Sequence, residues 1–371
     1  MARGIPTASP HAARPRRPAL YGLVCGYEDL NDQPGCAASA DADGRRQGRQ
    51  LGSSPTLSRR ETRATRADIV ALNRVRVEQL IAAHDRPPAE LILDVDACDI
   101  PLHDDQEQRQ FHAYHDHYCY LPLYVYCGRA LLACVLRRRR IGGARHAAAV
   151  IKLPVTRLRQ AWPDVRRFVR GDSGFCRQRL IRWRERRGVG YAIGEARNAR
   201  LHRVVEAREG ELEQRFAGTG VKQRRIREFR YAADGWNRER RIVTRLEFGT
   251  QGTNPRFVVA NLDLPAVTRY DALCCQRGEA ENRFGTRASC RTIPANRLRV
   301  PLAGLACTLM QRFKEMAPAG TEPARATSAT IRVKPFKIGT AVIRNTRRVR
   351  ILFASHHPLR ELFARARRHR Q

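Results

Sequence analysis

Between Glu61 and His84 the apolar side chains fall at Ile69, Val70, Leu72, Val75, Val77, Leu80 and Ile81. That is the spacing of one amphipathic helix, and Pro87-Pro88 ends it, because proline has no amide hydrogen to donate. The period then shortens. Leu91–Ala97 (LILDVDA) predicts a short apolar strand carrying two acids. Residues 111–136 are aromatic and β-branched with a break at Cys127-Gly128, which predicts a hairpin of two long strands. Residues 143–161 predict a helix. Val165–Arg170 (VRRFVR) predicts a strand running into Gly171-Asp172-Ser173-Gly174. Residues 176–187 form a basic helical stretch stopped by Gly188, and Val189–Ile193 closes the series as another strand.

The flanks are less regular. Residues 1–60 are rich in Arg, Gly, Ser, Ala and Pro and predict irregular chain, apart from Tyr21–Asp32, whose apolar-then-acidic order suits a helix and its end. After EAREGELEQRF, the alternating segments Arg227–Tyr231, Arg241–Phe248 and Arg256–Leu262 predict a β-rich insertion. Helical spacing returns over Arg269–Lys314. Residues 324–371 read as a basic tail with helical and strand fragments, including Arg344–Arg350. No internal repeat is visible.

A strand, a hairpin and then alternating helices and strands is the order of an RNase H-like core. The expected fold class is therefore α/β: an RNase H-like mixed sheet flanked by helices, with a β-rich insertion and a basic helical C-terminal region. The expected divisions are 1–88 (a partly irregular DNA-binding region), 89–200 (first part of the catalytic core), 201–265 (the insertion), 266–320 (second part of the core) and 321–371 (the tail).

Charge narrows the partners. The 371 residues carry 70 Lys+Arg against 36 Asp+Glu, a net charge of +34. Such a chain repels itself unless a polyanion compensates, and nucleic acid phosphates are the usual ones. A GC-rich coding sequence also inflates arginine, and arginine greatly outnumbers lysine here, so charge alone leaves both origins open. No apolar run is long enough to span a bilayer and the N-terminus has no apolar signal core, so a soluble, cytoplasmic protein without membrane contact is expected. The 11 cysteines are scattered and never spaced as CxxC. That argues against a disulfide framework or a zinc ribbon.

Four acids stand out. Asp94 and Asp96 are two apart on a strand and so share a face. Asp172 follows its strand directly, at the carboxyl end, where open α/β sheets place ligand groups. Glu281 lies in ALCCQRGEAENR, a helical stretch. Singly, each has an ordinary structural reading, as a cap or a solvated ion pair. Converging, such carboxylates hold two divalent cations for phosphoryl chemistry, and Mg²⁺ suits oxygen ligands. His112, His115 and His117 cluster near Asp116, but on one strand His112 would face away from the other two, and no partner follows at zinc-finger spacing. Arg137–Arg140 is a charged run that suits solvent or phosphate. Ser173 lacks the G-x-S-x-G elbow of a serine hydrolase.

The series YGLVCGYEDLND, SPTLSRRETRA, LILDVDACDIPLH, FHAYHDHYCYLPLYVYCGRALLACVLR, VRGDSGF, YAIGEARNARL, TNPRFVVANL, RGEAENR and AGTEPARATSATIRVKPFKIG, in this order, resembles the DDE transposases of the insertion-sequence family numbered thirteen-eighty, in DDE transposase group 1. The resemblance touches most of the chain from Tyr21 onward. It implies Asp96, Asp172 and Glu281 as the catalytic and metal-binding triad, with Asp94 the rival for the first position. Cys98 stands where the family has a hydroxyl residue. Arg277 and Glu281 match the Y-x2-R-x3-E pattern, with Cys274 in the Tyr position. Arg277, Arg170 and the basic helix 176–187 are implied as contacts to DNA, and Trp236 in the insertion as the aromatic that stacks on a turned-out base. Its alternative is a Trp half-buried under the insertion sheet.

The implied cofactors are two Mg²⁺ (or Mn²⁺) ions, and the implied partners are double-stranded DNA with inverted-repeat ends and a target DNA. A dimer is implied in the synaptic complex, in a bacterial, nucleoid-associated setting. The reaction implied is nicking at the element ends followed by strand transfer. FGTRASC after Glu281 is shorter than the family continuation, and the chain starts close to YGLVCGYEDL. Both imply a truncated or decayed copy. The other readings are a DNA-binding remnant without chemistry and, from another class, a basic RNA-binding protein.

Overall fold

The computed structural model describes residues 16–27, 54–102, 105–113, 116–137, 144–262, 265, 288–316, 326–334, 340–344 and 349–354. Glu281, Arg277, Cys274, His115 and Arg138–Arg140 lie outside the described residues. In chain order the elements open with three helices, α1 Arg16–Cys25, α2 Ser54–Thr62 and α3 Arg66–Ala82. Six strands follow: β1 Glu90–Asp96, β2 Ile100–Pro101, β3 Gln110–His112, β4 His117–Tyr120, β5 Leu123–Cys127 and β6 Ala130–Val135. Then come α4 Ala147–Ala161, β7 Arg166–Gly171, a 3₁₀ turn at Ser173–Phe175, α5 Gln178–Arg186, β8 Gly190–Glu195 and α6 Ala199–Thr219. The remainder is β9 Gln223–Tyr231, β10 Arg240–Gly249, β11 Gly252–Thr253, β12 Arg256–Ala260, α7 Ile293–Met316, α8 Ser328–Val333, β13 Thr340–Arg344 and β14 Val349–Phe353.

These residues fall into two compact units. The first lies within Met1–Leu72, Pro101–Arg109 and Thr286–Gln371; the second within Asn73–Ile100 and Gln110–Gly285. In the first, α7 packs on α1 and α2. Glu61 and Arg299 form a buried ion pair there, Nη2 to Oε1 at 3.2 Å, and the Cys290 thiol also reaches Glu61 at 3.4 Å. The Glu107 carboxylate accepts the N–H of Ile293 at 3.0 Å, satisfying one of the open donors at the start of α7. The strands β13 and β14 pair with each other, antiparallel.

The second unit is built on a nine-stranded sheet in the order β11-β10-β12-β8-β7-β1-β5-β6, with β9 alongside β10. The strands β1, β7 and β8 run parallel; β5 and β6 form an antiparallel hairpin on one side of β1. The core joins Leu91, Leu93, Val95, Val125, Val169, Tyr191 and Ile193 of these strands to Ile151, Val155 and Leu158 of α4, Leu180 and Ile181 of α5, and Leu201, Val205 and Leu212 of α6. Each fully buried aliphatic side chain of this kind contributes roughly 1.5–3 kcal/mol.

The structure departs from the pattern reading in three places. The single helix expected over residues 61–84 is two, because a capping box at Thr65 and Asp68 starts α3 afresh. The Asp68 carboxylate accepts the Thr65 N–H at 2.9 Å and its hydroxyl at 2.8 Å. The long first strand of the 111–136 hairpin is cut at Leu121-Pro122, since proline cannot serve the ladder. Only Leu123–Val135 forms the hairpin β5–β6 in the large sheet, whereas β3 and β4 belong to a separate three-stranded sheet with β2. Residues 199–219 form one helix, capped by the Asn198 side chain on the Leu201 N–H (2.9 Å) and by Gly220 at φ 66°. Beyond it, β12 pairs with β8 and so carries β10 and β9 into the same sheet. No described helix is long and apolar enough to cross a membrane.

Candidate active site

The face of β1 opposite Leu91, Leu93 and Val95 carries Asp94 and Asp96, because side chains alternate along a strand. Across the sheet, Asp94 pairs in register with Tyr126 and Asp96 with Tyr124 on β5. On the other side, Asp94 pairs with Arg170 and Val95 with Gly171 on β7. Asp96 is the last residue of β1, and Asp172 directly follows Gly171, the last residue of β7. Both acids thus sit at the carboxyl ends of adjacent parallel strands.

Their settings differ. Asp96 is buried, 8% exposed. Its Oδ1 accepts the Ala97 N–H at 2.9 Å, and the Cys98 thiol donates to Oδ2 at 3.0 Å. The thiol therefore occupies the place of the hydroxyl expected beside this acid. Burial, and then the neighbours Tyr124, Cys134, Cys98 and Asp96, push the Tyr126 phenol far above its ordinary value, so the side of the acid toward β5 holds a neutral phenol. Asp172 is exposed and caps the 3₁₀ turn, its Oδ1 accepting the Gly174 N–H at 2.8 Å. Gly194 of β8 lies against that turn; a Cβ there would stand 3.0 Å from the Ser173 nitrogen and 3.3 Å from the Asp172 carbonyl carbon.

Asp94, the rival first acid, is engaged elsewhere. Its Oδ1 and Oδ2 accept from Arg170 Nε and Nη2 at 2.5 and 2.6 Å, with both side chains under 10% exposed. Arg170, expected among the DNA contacts, is buried in this pair. Trp236, the expected stacking aromatic, sits in the turn before β10 and is half-buried against the core. Its ring meets Tyr231 edge-on at 5.8 Å, and the Arg240 guanidinium lies 5.2 Å from its centroid. The basic helix α5 turns Arg177, Arg179, Arg182, Arg186 and Arg187 of the helix and its ends outward, whereas Arg184 is wholly buried. Arg137, read as part of a solvated run, is buried too and donates to the Leu121 and Arg145 carbonyls; burial lowers its guanidinium to about 10.

His112 and His117 are directly opposed on the antiparallel strands β3 and β4 and so share a face. His117 Nε2 lies 2.8 Å from Asp99 Oδ2. Among the described residues no three His, Cys, Asp or Glu side chains gather closely enough to hold a metal ion. Pattern reading missed the Asp94–Arg170 pair and the packing of Gly194 on the Asp172 turn. Both join residues distant in the chain, and neither leaves a local signature.

No curated protein matches the chain. Among solved structures, a piggyBac transposase synaptic complex with hairpin DNA, determined by cryo-EM, is similar at a TM-score of 0.35 and 11% identity, over 78% of this chain and 72% of that one. The sequence profile described as Transposase DDE domain group 1 matches residues 17–370. That span is nearly the whole chain, and the protein belongs to the DDE-domain transposases of group 1.

Proposed function

We propose that the chain is a metal-dependent polynucleotidyl transferase that cuts DNA at insertion-sequence ends and joins the freed strand to target DNA, in the manner of the family numbered thirteen-eighty. The observation that carries this reading is that Asp96 ends β1 and Asp172 directly follows β7, at the carboxyl ends of two hydrogen-bonded parallel strands. The order β6-β5-β1-β7-β8, with a hairpin leading into parallel strands, supports an RNase H-like core. Glu281 is proposed as the third acid and Arg277 as its phosphate-contacting neighbour.

An all-oxygen donor set of carboxylates fits a hard divalent cation such as Mg²⁺ or Mn²⁺. Asp96, Asp172 and Glu281 would hold it, and when bound it supplies charge neutralisation at the phosphate and activation of the attacking oxygen. Water adds to phosphorus as the bond to O3′ breaks, leaving a 5′-phosphate and a 3′-hydroxyl. That hydroxyl then attacks a target phosphate, forming a new ester bond as the target's own bond from phosphorus to O3′ breaks and its 3′-oxygen leaves with a proton. The outward arginines of α5 follow Asp172 closely in the chain and hold DNA through its phosphates. Trp236 is the proposed stacking group only if its ring leaves Tyr231 and Arg240. Synapsis of two ends implies two copies in the DNA complex.

The test is incubation of the purified chain with duplex DNA carrying the inverted repeats that flank its gene, with Mg²⁺, with Mn²⁺ and with chelator. Metal-dependent nicks at the repeat ends are expected. Equal retention of RNA and duplex DNA on filters, with no cleavage, would establish the RNA-binding alternative instead. Gly194→Ala bears on the same reading. The added methyl pushes the Asp172–Ser173 turn by a few tenths of an ångström, and cleavage is expected to fall roughly tenfold with little change in Tm. Unchanged cleavage would separate the turn from the chemistry.

One observation favours a second reading, a DNA-binding remnant without chemistry. Arg184 is buried with no hydrogen-bond partner on any of its three nitrogens, a fault that erodes stability. Cleavage that appears only after the sequence around residues 284–291 is lengthened to the family form would establish this reading.

A further inference from the structure

We propose that the buried Arg170–Asp94 pair is a positioning device for the metal site. It fixes the phase of β1 against β7 so that Asp96 and Asp172 present their carboxylates to the same ions. The inference rests on the reading of those two acids as metal ligands.

Backbone ladders by themselves tolerate slippage, because every residue offers the same N–H and C=O. Register is set by side chains, and a slip of one residue moves every side chain to the other face of the sheet. Here the partners Asp94 and Arg170 are in register on neighbouring parallel strands. They are joined by two parallel bonds of 2.5 and 2.6 Å. A guanidinium fork on a carboxylate fixes orientation as well as distance, which a lysine would not do. The pair is almost wholly buried, with side chains 7% and 8% exposed, so water does not loosen it. Two residues further along β1, on the same face and roughly 7 Å away, stands Asp96, and Asp172 directly follows the last residue of β7. Arg170 has both Nε and Nη2 committed to Asp94. Its fork is therefore not offered to a DNA phosphate, and Asp94, its charge matched, is not offered to an ion. Both residues act through the acids beyond them.

The experiment measures Mn²⁺ binding to the full chain by electron paramagnetic resonance of the free ion, together with the unfolding temperature. The double variant Asp94→Leu/Arg170→Met keeps the volume and leaves no unpaired charge, so it folds with Tm close to the parent. Its Mn²⁺ affinity is expected to drop roughly ten- to a hundredfold, the usual loss when an outer partner of metal ligands is removed. Parent-like affinity in the folded double variant overturns the proposal. Arg170→Lys, which retains the charge and loses the fork, is expected to fall between the two, and parent-like affinity there overturns it as well. Asp172→Asn is the control for the underlying reading. If it binds Mn²⁺ as the parent does, Asp172 is not a ligand and the site assignment fails. If it binds weakly while the double variant binds normally, only the positioning role fails.

Discussion

Asp172→Asn is expected to slow metal-dependent cleavage of the element ends by roughly a thousandfold or more, about 4 kcal/mol of barrier, and to leave Tm within about 2 °C of the parent. The separation of the two effects follows from the geometry. Asp172 is exposed and serves the fold as the cap of a 3₁₀ turn, through Oδ1 and the Gly174 N–H. Asparagine keeps an oxygen at that position and caps as well as aspartate does. What it removes is the negative charge, and a hard cation is held chiefly by charge. Asp96→Asn is expected to show a comparable loss of rate. Asp94→Asn behaves differently, since it leaves Arg170 buried without its counter-charge and so lowers Tm before any question of catalysis arises. Rates are measured by single-turnover cleavage of end-labelled duplex, and stability by thermal unfolding followed by circular dichroism. An Asp172→Asn protein that cuts as fast as the parent would falsify the assignment of this acid.

That contrast between Asp94 and Asp96 also marks where pattern reading stops. Both acids lie on one strand and one face, and their spacing says no more. What separates them is Arg170, which is 76 positions away from Asp94 in the chain and meets it only because β1 and β7 are neighbours. Local signals served well where local physics decides. The apolar run of β1, the strand VRRFVR of β7 and the stop of α5 at Gly188, with φ 56°, all stand where periodicity and glycine chemistry put them. Asn198 and Gly220 bracket α6 as a cap and a left-handed end, signals present in the sequence and outweighed by the β pattern that follows. Pro122 likewise marked the end of β4. The joining of β12 to β8 had no such mark, because alternation predicts a strand but not its partner. The sequence also shows 70 basic residues without showing which are buried. Arg137 read as solvent- or phosphate-facing charge, Arg170 and Arg184 as DNA-facing charge, and all three lie inside the protein.

Arg184→Met is expected to stabilise the second unit by about 3 kcal/mol, raising its unfolding temperature by roughly 5–10 °C. Helix α5 turns Leu180, Ile181 and position 184 toward the core, the i, i+1, i+4 face of an amphipathic helix. At 184 that face carries a guanidinium with no exposed surface, and none of its three nitrogens has a hydrogen-bond partner. Its titratable neighbours offer no counter-charge, since burial pushes both the Cys176 thiol and the Tyr191 phenol upward and keeps them neutral. Burial accordingly lowers the guanidinium from its ordinary value to about 10. A cation whose folded value is depressed destabilises the fold fully at every pH below that value, and the penalty is relieved only as pH rises above about 10 toward the ordinary guanidinium value. At neutral pH the whole penalty is therefore present, and methionine, with a similar unbranched stem and no charge, removes it without opening a cavity. The gain in Tm should be the same at pH 6 and pH 8, since Arg184 is charged in both states across that range. A Tm that falls on substitution would mean that the guanidinium is held by an interaction stronger than its burial, and the core face of α5 would then have to be read as a charged site.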